Sequence, residues 1–136
     1  MTIVIDTSVT MAWCFEDEET LAADEVLDRL RDGDAAVPSL WQLEVANVLL
    51  VAERRGRISE AQAERFVSLL EQLPIRVDAD VVDVTSVLGV GRRHGLSAYD
   101  ACYLVLAERL GAPLATLNAA LAAAGRAAGV TVLADD

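Results

Sequence analysis

The fold is decided by the stretch TIVIDTS at residues 2–8. Residues 2–5 form a short apolar run rich in β-branched side chains, which is typical of a buried strand in a parallel sheet. The chain then turns polar at once with Asp6, Thr7 and Ser8. Because parallel sheets bind ligands beyond the carboxyl ends of their strands, Asp6 lies where such a fold places functional side chains.

Further short apolar runs predict the rest of the sheet. They are weaker strand candidates at residues 35–37, 75–77, 114–116 and 130–133. Helix starts between them are marked by capping boxes, in which side chains at the N-cap and three residues later bond to free backbone N–H groups. This layout occurs at Ser39 and Gln42, Ser59 and Gln62, Asp80 and Asp83, and Ser97 and Asp100.

The spacing of apolar residues predicts three helices, at residues 40 to about 55, at about 98–110 and from 119 to near 129. An apolar stripe runs along the first of these helices: Trp41, Val45, Val48, Leu49 and Ala52. Residues 81–90 are rich in valine, which favours a strand, but their length and the preceding Asp80 lead us to interpret them as a helix.

The alternation of strands and helices predicts an α/β fold. We expect three layers (α/β/α), with a central, mostly parallel sheet of about four to five strands and helices on both faces. The chain has 136 residues with neither a low-complexity linker nor a repeat, so we expect a single domain over residues 1–136.

Composition excludes several kinds of chemistry. The chain has no lysine, which rules out Schiff bases and phosphate-loop lysines, and its single histidine, His94, rules out most zinc sites. No apolar run approaches the ~20 residues that span a bilayer. The first residues do not resemble a signal peptide, and Cys14 and Cys102 show no metal-ligand spacing. We therefore expect a cytoplasmic protein without a membrane partner.

Four polar side chains are predicted to meet at the carboxyl edge of the sheet. Asp6 follows the first strand, Glu44 lies in the second turn of a helix, and Asp100 lies in the first turn of another. Asn118 stands where the fourth predicted strand gives way to the last helix. Structural alternatives remain open, since Asp6 and Asn118 are also good N-caps. Likewise, Asp100 completes a capping box, and Glu44 could be a solvated helix residue.

Three carboxylates in one crevice need a counter-charge. At ~5 Å and an effective dielectric constant of ~20, each pair repels by roughly 3 kcal/mol. The chain has no lysine to neutralise them, whereas Mg²⁺ or Mn²⁺ prefers carboxylate oxygens. Such an ion activates water and binds phosphate oxygens. The pattern therefore indicates phosphodiester hydrolysis, with Asp6, Glu44 and Asp100 as catalytic and metal-binding residues.

With these residues in place, the chain resembles the PIN-domain ribonucleases of the VapC toxin type, from type II (VapBC) toxin–antitoxin systems. Four pieces carry the resemblance in order: IDTS at 5–8, the helix with Glu44, YDACYL at 99–104 and LATLN at 114–118. The resemblance implies an Mg²⁺- or Mn²⁺-dependent endoribonuclease, a VapB-type antitoxin as partner and a homodimer. Asp6, Glu44 and Asp100 match the three core acidic positions of the family.

Asn118 departs from the family pattern, which commonly has a fourth acidic residue at this place. An amide oxygen can still bind a metal or orient a water, but it brings no charge to a second ion. We assign Asn118, with Ser8 and Thr116, a supporting role in positioning water or ligand. The alternative function is a catalytically weak or inactive PIN-like module that binds RNA or antitoxin.

The net charge of −11 argues at first against RNA binding, which cationic side chains drive. Much of this acidity is local, because residues 16–34 hold nine acidic residues against two arginines. That segment is either a solvated helix face or a helix packed near a basic partner. Candidates for RNA phosphate contacts are a first arginine cluster, Arg54, Arg55 and Arg57, and a second arginine cluster, Arg92 and Arg93. The alternative is that both clusters favour helix ends through the helix dipole.

A small phosphatase or nucleotide-binding enzyme is a third hypothesis. The sequence disfavours it, because Asp6 lacks the second aspartate of the Asp-x-Asp phosphatase motif. There is also no glycine-rich, phosphate-binding loop after the first strand.

Overall fold

A five-stranded sheet forms the centre of the computed structural model, which describes residues 1–79 and 83–134. Every neighbouring pair of strands is parallel, and the order across the sheet is β3-β2-β1-β4-β5. The strands are β1 (Thr2–Ile5), β2 (Asp34–Pro38), β3 (Ile75–Asp78), β4 (Leu114–Ala115) and β5 (Val132–Leu133). This arrangement confirms the predicted α/β fold with a parallel sheet.

The described residues also form seven α-helices and one 3₁₀ turn. The helices are α1 (Thr7–Cys14), α2 (Leu21–Arg29), α3 (Leu40–Arg54), α4 (Glu60–Glu71), α5 (Val84–His94), α6 (Ala98–Leu110) and α7 (Ala119–Ala127); the 3₁₀ turn is Glu16–Glu18. Helix α6 packs against β1, β2 and β4 and contacts α5 and α7, while α1 contacts α2 and α3. The sheet is therefore flanked by helices, as the three-layer prediction requires.

The predicted capping boxes have different outcomes among the described residues. Ser59 and Gln62 form the complete capping box of α4, and the Ser97 hydroxyl accepts the Asp100 N–H at the start of α6. The prediction of a capping box at Ser39 is wrong. Ser39 has helical backbone angles (φ −59°, ψ −29°), so its hydroxyl does not turn toward the free N–H groups as an extended N-cap would.

Several element boundaries differ from the prediction. Helix α1 is not predicted by the sequence pattern, because eight residues after a strand carry little periodic signal. The strands predicted at 114–116 and 130–133 are shorter, with two residues each. The predicted 81–90 helix is present from Val84 onward with Asp83 as its N-cap, while Asp80 and residues 81–82 lie outside the described residues.

The strand order places a topological switch between β1 and β4. From β1 the chain proceeds outward through β2 to β3 and then returns to the other side of β1 through β4. Ligands of open α/β sheets bind at the carboxyl ends of the strands beside such a switch. The first polar residues after these two strands, Asp6 and Thr116, therefore lie where a ligand site is expected. No helix of the described residues is long and apolar enough to cross a membrane.

Candidate active site

Asp6 lies at the switch between β1 and β4 and is almost completely buried, with 4% of its surface exposed. It is the N-cap of α1, and its Oδ1 accepts the Val9 N–H at 3.1 Å and the Ser8 hydroxyl at 2.6 Å. Its Oδ2 accepts the hydroxyl of Thr116 at 2.5 Å. Because a carboxylate has about four lone-pair sites, one acceptor site remains on Oδ2.

Ser8 and Thr116 connect Asp6 to the segment after β4. The Ser8 hydroxyl accepts the Leu117 N–H at 2.9 Å, and the Thr116 hydroxyl accepts the Asn118 N–H at 3.0 Å. Each hydroxyl therefore donates a hydrogen bond to Asp6 and accepts one from a backbone N–H of the segment after β4. This network fixes the Asp6 carboxylate, while a role of Ser8 and Thr116 in positioning a water or ligand stays a prediction.

Glu44 lies on α3 and is held by hydroxyls from two other helices. Its Oε1 accepts the Thr7 hydroxyl at 2.9 Å and the Tyr103 hydroxyl at 2.5 Å. The oxygens of Thr7 and Tyr103 are themselves 3.0 Å apart. Glu44 is half-buried, so it is not the freely solvated helix residue of the alternative interpretation.

Asp100 is half-buried in the first turn of α6. Burial is the main cause that raises its pKa, and the negative charge of Glu44 raises it further, while a hydrogen bond with Ser97 lowers it. Burial also raises the pKa of Asp6, against the lowering by its hydroxyl partners, and the charge of Asp100 adds to the rise. The charge of Asp100 thus acts on Asp6 and the charge of Glu44 acts on Asp100, so Asp100 lies near both other carboxylates.

A divalent cation fits this crevice by the chemistry of its donors. Two of the three carboxyls have raised pKa values that a bound cation would lower, and all three offer the hard oxygen atoms that Mg²⁺ and Mn²⁺ prefer. Within residues 1–79 and 83–134, no three acidic, histidine or cysteine side chains lie close enough together to form a group that could hold a metal ion.

Asn118 is the N-cap of α7, which is the structural role that the sequence offered as the alternative to a role in the site. Its side-chain Oδ1 accepts the Leu121 N–H at 3.1 Å. The acceptor atom of the amide is therefore used by the helix, and the other end of the amide is a hydrogen-bond donor. Asn118 thus has a structural role that needs no bound ion.

The two arginine clusters differ in their surroundings. In the first cluster, Arg57 forms ion pairs with Asp17 at 2.6 Å and Glu18 at 2.9 Å and lies 3.7 Å from the centre of the Phe15 ring. The acidic segment of residues 16–34 thus neutralises an arginine of its own chain. The remaining arginines of the two clusters, Arg54, Arg55, Arg92 and Arg93, are exposed at the ends of α3 and α5.

Tyr103 and Thr7 are the site residues that sequence reasoning missed. Tyr103 is 1% exposed and follows Asp100 by three residues, so the two share one face of α6. That spacing is the signal that could have found it, because an aromatic side chain with a hydroxyl needs a hydrogen-bond partner when it is buried. The sequence pattern indicates for Thr7 only a place at the turn after the first strand.

The fold and this acidic crevice define a PIN domain. The family profile of the PIN domain matches residues 3–127, and the chain belongs to this family, as the resemblance in its sequence predicted. Among curated relatives, the chain is 28% identical to Ribonuclease VapC3 of Pyrobaculum aerophilum over 124 residues, which are 90% of this chain and 93% of the relative.

Solved structures agree with this assignment. The crystal structure of PAE2754 from Pyrobaculum aerophilum is similar with a TM-score of 0.74 and 25% identity, and the match covers 98% of this chain and 90% of that one. The structure of VapBC2 from Rickettsia felis bound to a DNA fragment from its promoter has a TM-score of 0.70 and 15% identity, with full coverage of both chains. The second likeness shows the fold alone.

Proposed function

We propose that this protein is a metal-dependent endoribonuclease that acts as a toxin and hydrolyses RNA phosphodiester bonds. The single observation that carries the proposal is the nearly buried Asp6 at the switch point of a PIN-domain sheet, where the charges of Asp100 and Glu44 raise the pKa values of Asp6 and Asp100 respectively. No ion pair of the described residues joins an arginine to Asp6, Glu44 or Asp100. The similarity to Ribonuclease VapC3 supports the substrate class.

The residues of the site have different roles in the proposed reaction. Asp6, Glu44 and Asp100 would hold Mg²⁺ or Mn²⁺, which supplies activation of water and neutralisation of phosphate charge when it is bound. Ser8 and Thr116 fix the Asp6 carboxylate through short hydrogen bonds. Asn118 caps α7, which begins at the rim of the crevice. Its part in the proposed reaction is therefore indirect, since it fixes where this helix begins.

Partners follow from the relatives rather than from surface chemistry. The chain is a PIN-domain protein similar to Ribonuclease VapC3, and we propose a VapB-type antitoxin as its partner, with a homodimer as the active form. The whole of residues 1–136 would act as one domain in the cytoplasm. Copurification with the product of the neighbouring reading frame tests the partner, and a monomer that cleaves RNA alone contradicts the dimer.

RNA phosphates would bind the exposed arginines rather than Arg57, which is engaged by Asp17 and Glu18. Each arginine that binds a phosphate should contribute about one to the salt slope of RNA binding. Binding of a catalytically inactive Asp6→Asn chain to RNA is measured against salt, and Arg92→Ala and Arg93→Ala are expected to flatten the slope. If Arg57→Ala flattens it as much as they do, the assignment is wrong.

The direct test of activity is cleavage of a structured RNA with added Mn²⁺. Wild-type protein is expected to produce 5′-phosphate and 3′-hydroxyl ends, and a chelator should stop the reaction. Asp6→Asn should reduce the rate by about 10³-fold, because several kcal/mol of charge stabilisation is removed. Equal cleavage by wild type and Asp6→Asn contradicts the mechanism.

A second candidate function is a PIN-like module that binds RNA or antitoxin without turnover. The observation that favours it is the amide of Asn118, which brings no charge and whose oxygen is used by Leu121. This candidate predicts that wild type is inactive and that Asn118→Asp starts cleavage. An active wild type with no gain in Asn118→Asp excludes it.

A further inference from the structure

Beside the three carboxylates lies a pair of hydroxyls that the proposed function does not use. We propose that Thr7 and Tyr103 form a clamp on Glu44, which positions this carboxylate for the cation by committing one of its oxygens to the protein. The proposal rests on the proposed function and adds two positioning residues to it. The geometry consists of two hydrogen bonds, from Thr7 and Tyr103, that converge on the single atom Oε1.

Glu44 needs such a clamp more than Asp6 does. Asp6 follows a buried strand directly and has a short side chain whose oxygens are both hydrogen-bonded. Glu44 has a longer side chain with an additional rotatable bond, and it projects from a helix whose neighbouring residue Leu43 is exposed. Ordering such a side chain at the moment of binding would cost conformational entropy, which prior ordering by two hydrogen bonds avoids.

The clamp separates the two oxygens of Glu44. Oε1 accepts both hydroxyls, whereas the described residues form no hydrogen bond to Oε2. Oε2 is therefore the atom of Glu44 that is open to a cation. Two donors on Oε1 also oppose a rotation of the carboxylate that would exchange the oxygens, because that rotation would leave the buried Tyr103 hydroxyl without its acceptor.

The clamp also ties together the helices that carry the crevice. Thr7 begins α1 next to Asp6, Tyr103 lies one turn after Asp100 on α6, and Glu44 lies on α3. A hydroxyl from each of the other two helices thus sets where the α3 carboxylate points. Removing groups that orient a metal ligand in this way commonly weakens metal affinity by about 10- to 100-fold.

The test is a titration of the full chain with Mn²⁺, followed by electron paramagnetic resonance of the free ion. Tyr103→Phe and Thr7→Val each remove one hydroxyl with little change of shape, and each is expected to weaken Mn²⁺ binding by about tenfold. Thr7→Ser keeps the hydroxyl and should restore the wild-type affinity. Tyr99→Phe is the matched control, because Tyr99 lies on the same helix and is 66% exposed, and it should bind as wild type does.

A second set of variants distinguishes a merely structural role of Tyr103 from a role in positioning Glu44. When Glu44→Gln is already present, Tyr103→Phe should weaken Mn²⁺ binding by less than about twofold, because the clamped carboxylate is gone. A tenfold loss in that background, or no loss in the wild-type background, overturns the clamp while leaving the endoribonuclease proposal intact. Wild-type protein that binds no Mn²⁺ overturns both.

Discussion

Asp6 and Glu44 are carboxylates of the same crevice, but the molecule holds them in different ways. Asp6 follows the central strand, is 4% exposed and has hydrogen bonds on both oxygens, including one from Thr116 across the switch point. Glu44 lies on a helix and is half-buried, and among the described residues its hydrogen bonds all converge on one oxygen, Oε1. The sheet thus fixes one charge rigidly, and the surrounding helices bring the others to it.

This difference indicates which hydrogen bonds of the site stabilise the folded state. A nearly buried carboxylate must have its hydrogen bonds, because a buried charge that loses a partner is penalised by the full desolvation of the group. A half-exposed carboxylate can turn to water instead. The two hydroxyls around Asp6 should therefore support the fold, and the two around Glu44 should support the function.

The largest expected effect comes from removing the hydroxyl that supports Asp6. Thr116→Val keeps the shape of this fully buried residue but leaves Oδ2 of Asp6 without its donor. We expect the free energy of unfolding to fall by about 2 kcal/mol, or roughly 6–10 °C in Tm. Thermal melting in chelator measures it.

The matched substitution on the other carboxylate is Thr7→Val, which removes a donor from half-exposed Glu44. Its Tm in chelator should stay within about 2 °C of wild type, since surface-side substitutions change stability by only about 0.5 kcal/mol. If Thr7→Val lowers the Tm as much as Thr116→Val, then the contrast between the two carboxylates is wrong.

A smaller effect is expected at the rim, where Asn118 caps α7. Asn118→Ala removes the cap and should cost about 1 kcal/mol, whereas Asn118→Asp preserves it and should leave the unfolding free energy nearly unchanged. Urea unfolding of the three proteins in chelator measures both changes. Equal stability of Asn118→Ala and wild type would show that the cap contributes nothing and would make Asn118 a ligand candidate again.

The smallest effect concerns the charge of Asp100. Burial first and the charge of Glu44 second raise its pKa above 3.8, so the folded state binds this proton more tightly than the unfolded state does. The resulting stabilisation is complete below pH 3.8 and disappears as the pH rises through the raised folded-state pKa. At pH 7, Asp100→Asn should therefore raise the Tm of the metal-free protein by roughly 1–3 °C, a small gain because solvent screens this half-buried group.

The pH series of melting curves provides the control. The Tm advantage of Asp100→Asn over wild type should shrink as the pH falls toward 3.8, where wild-type Asp100 is protonated in the folded state as well. A higher Tm for wild type than for Asp100→Asn at pH 7 in chelator would mean that the carboxylates of the crevice do not repel one another.

The sequence alone was sufficient for the residues whose roles depend on local position. Asp6 after an apolar strand, Asn118 before α7 and the Ser59 capping box are each defined by a few neighbouring residues, and the fold class follows from the order of such pieces. Ser39 shows the limit of this reasoning, because the same local pattern exists there and the backbone angles do not use it.

Long-range partners could not be predicted in this way. The hydrogen bonds of Tyr103 with Glu44 and of Thr116 with Asp6 join residues 59 and 110 positions apart, and only the packing of α6 and the order of the strands brings them together. The same holds for Arg57, whose pairing with Asp17 and Glu18 depends on how α3 ends beside the 3₁₀ turn.

The most direct measurement is the stoichiometry and affinity of Mn²⁺ binding to the wild-type chain and to Asp6→Asn and Asp100→Asn. If the three carboxylates form one cation site, wild type binds Mn²⁺ at this site and each substitution weakens the binding by at least about tenfold, although the two residues come from different parts of the fold. Wild type without measurable Mn²⁺ binding, or either variant binding as tightly as wild type, would contradict the account.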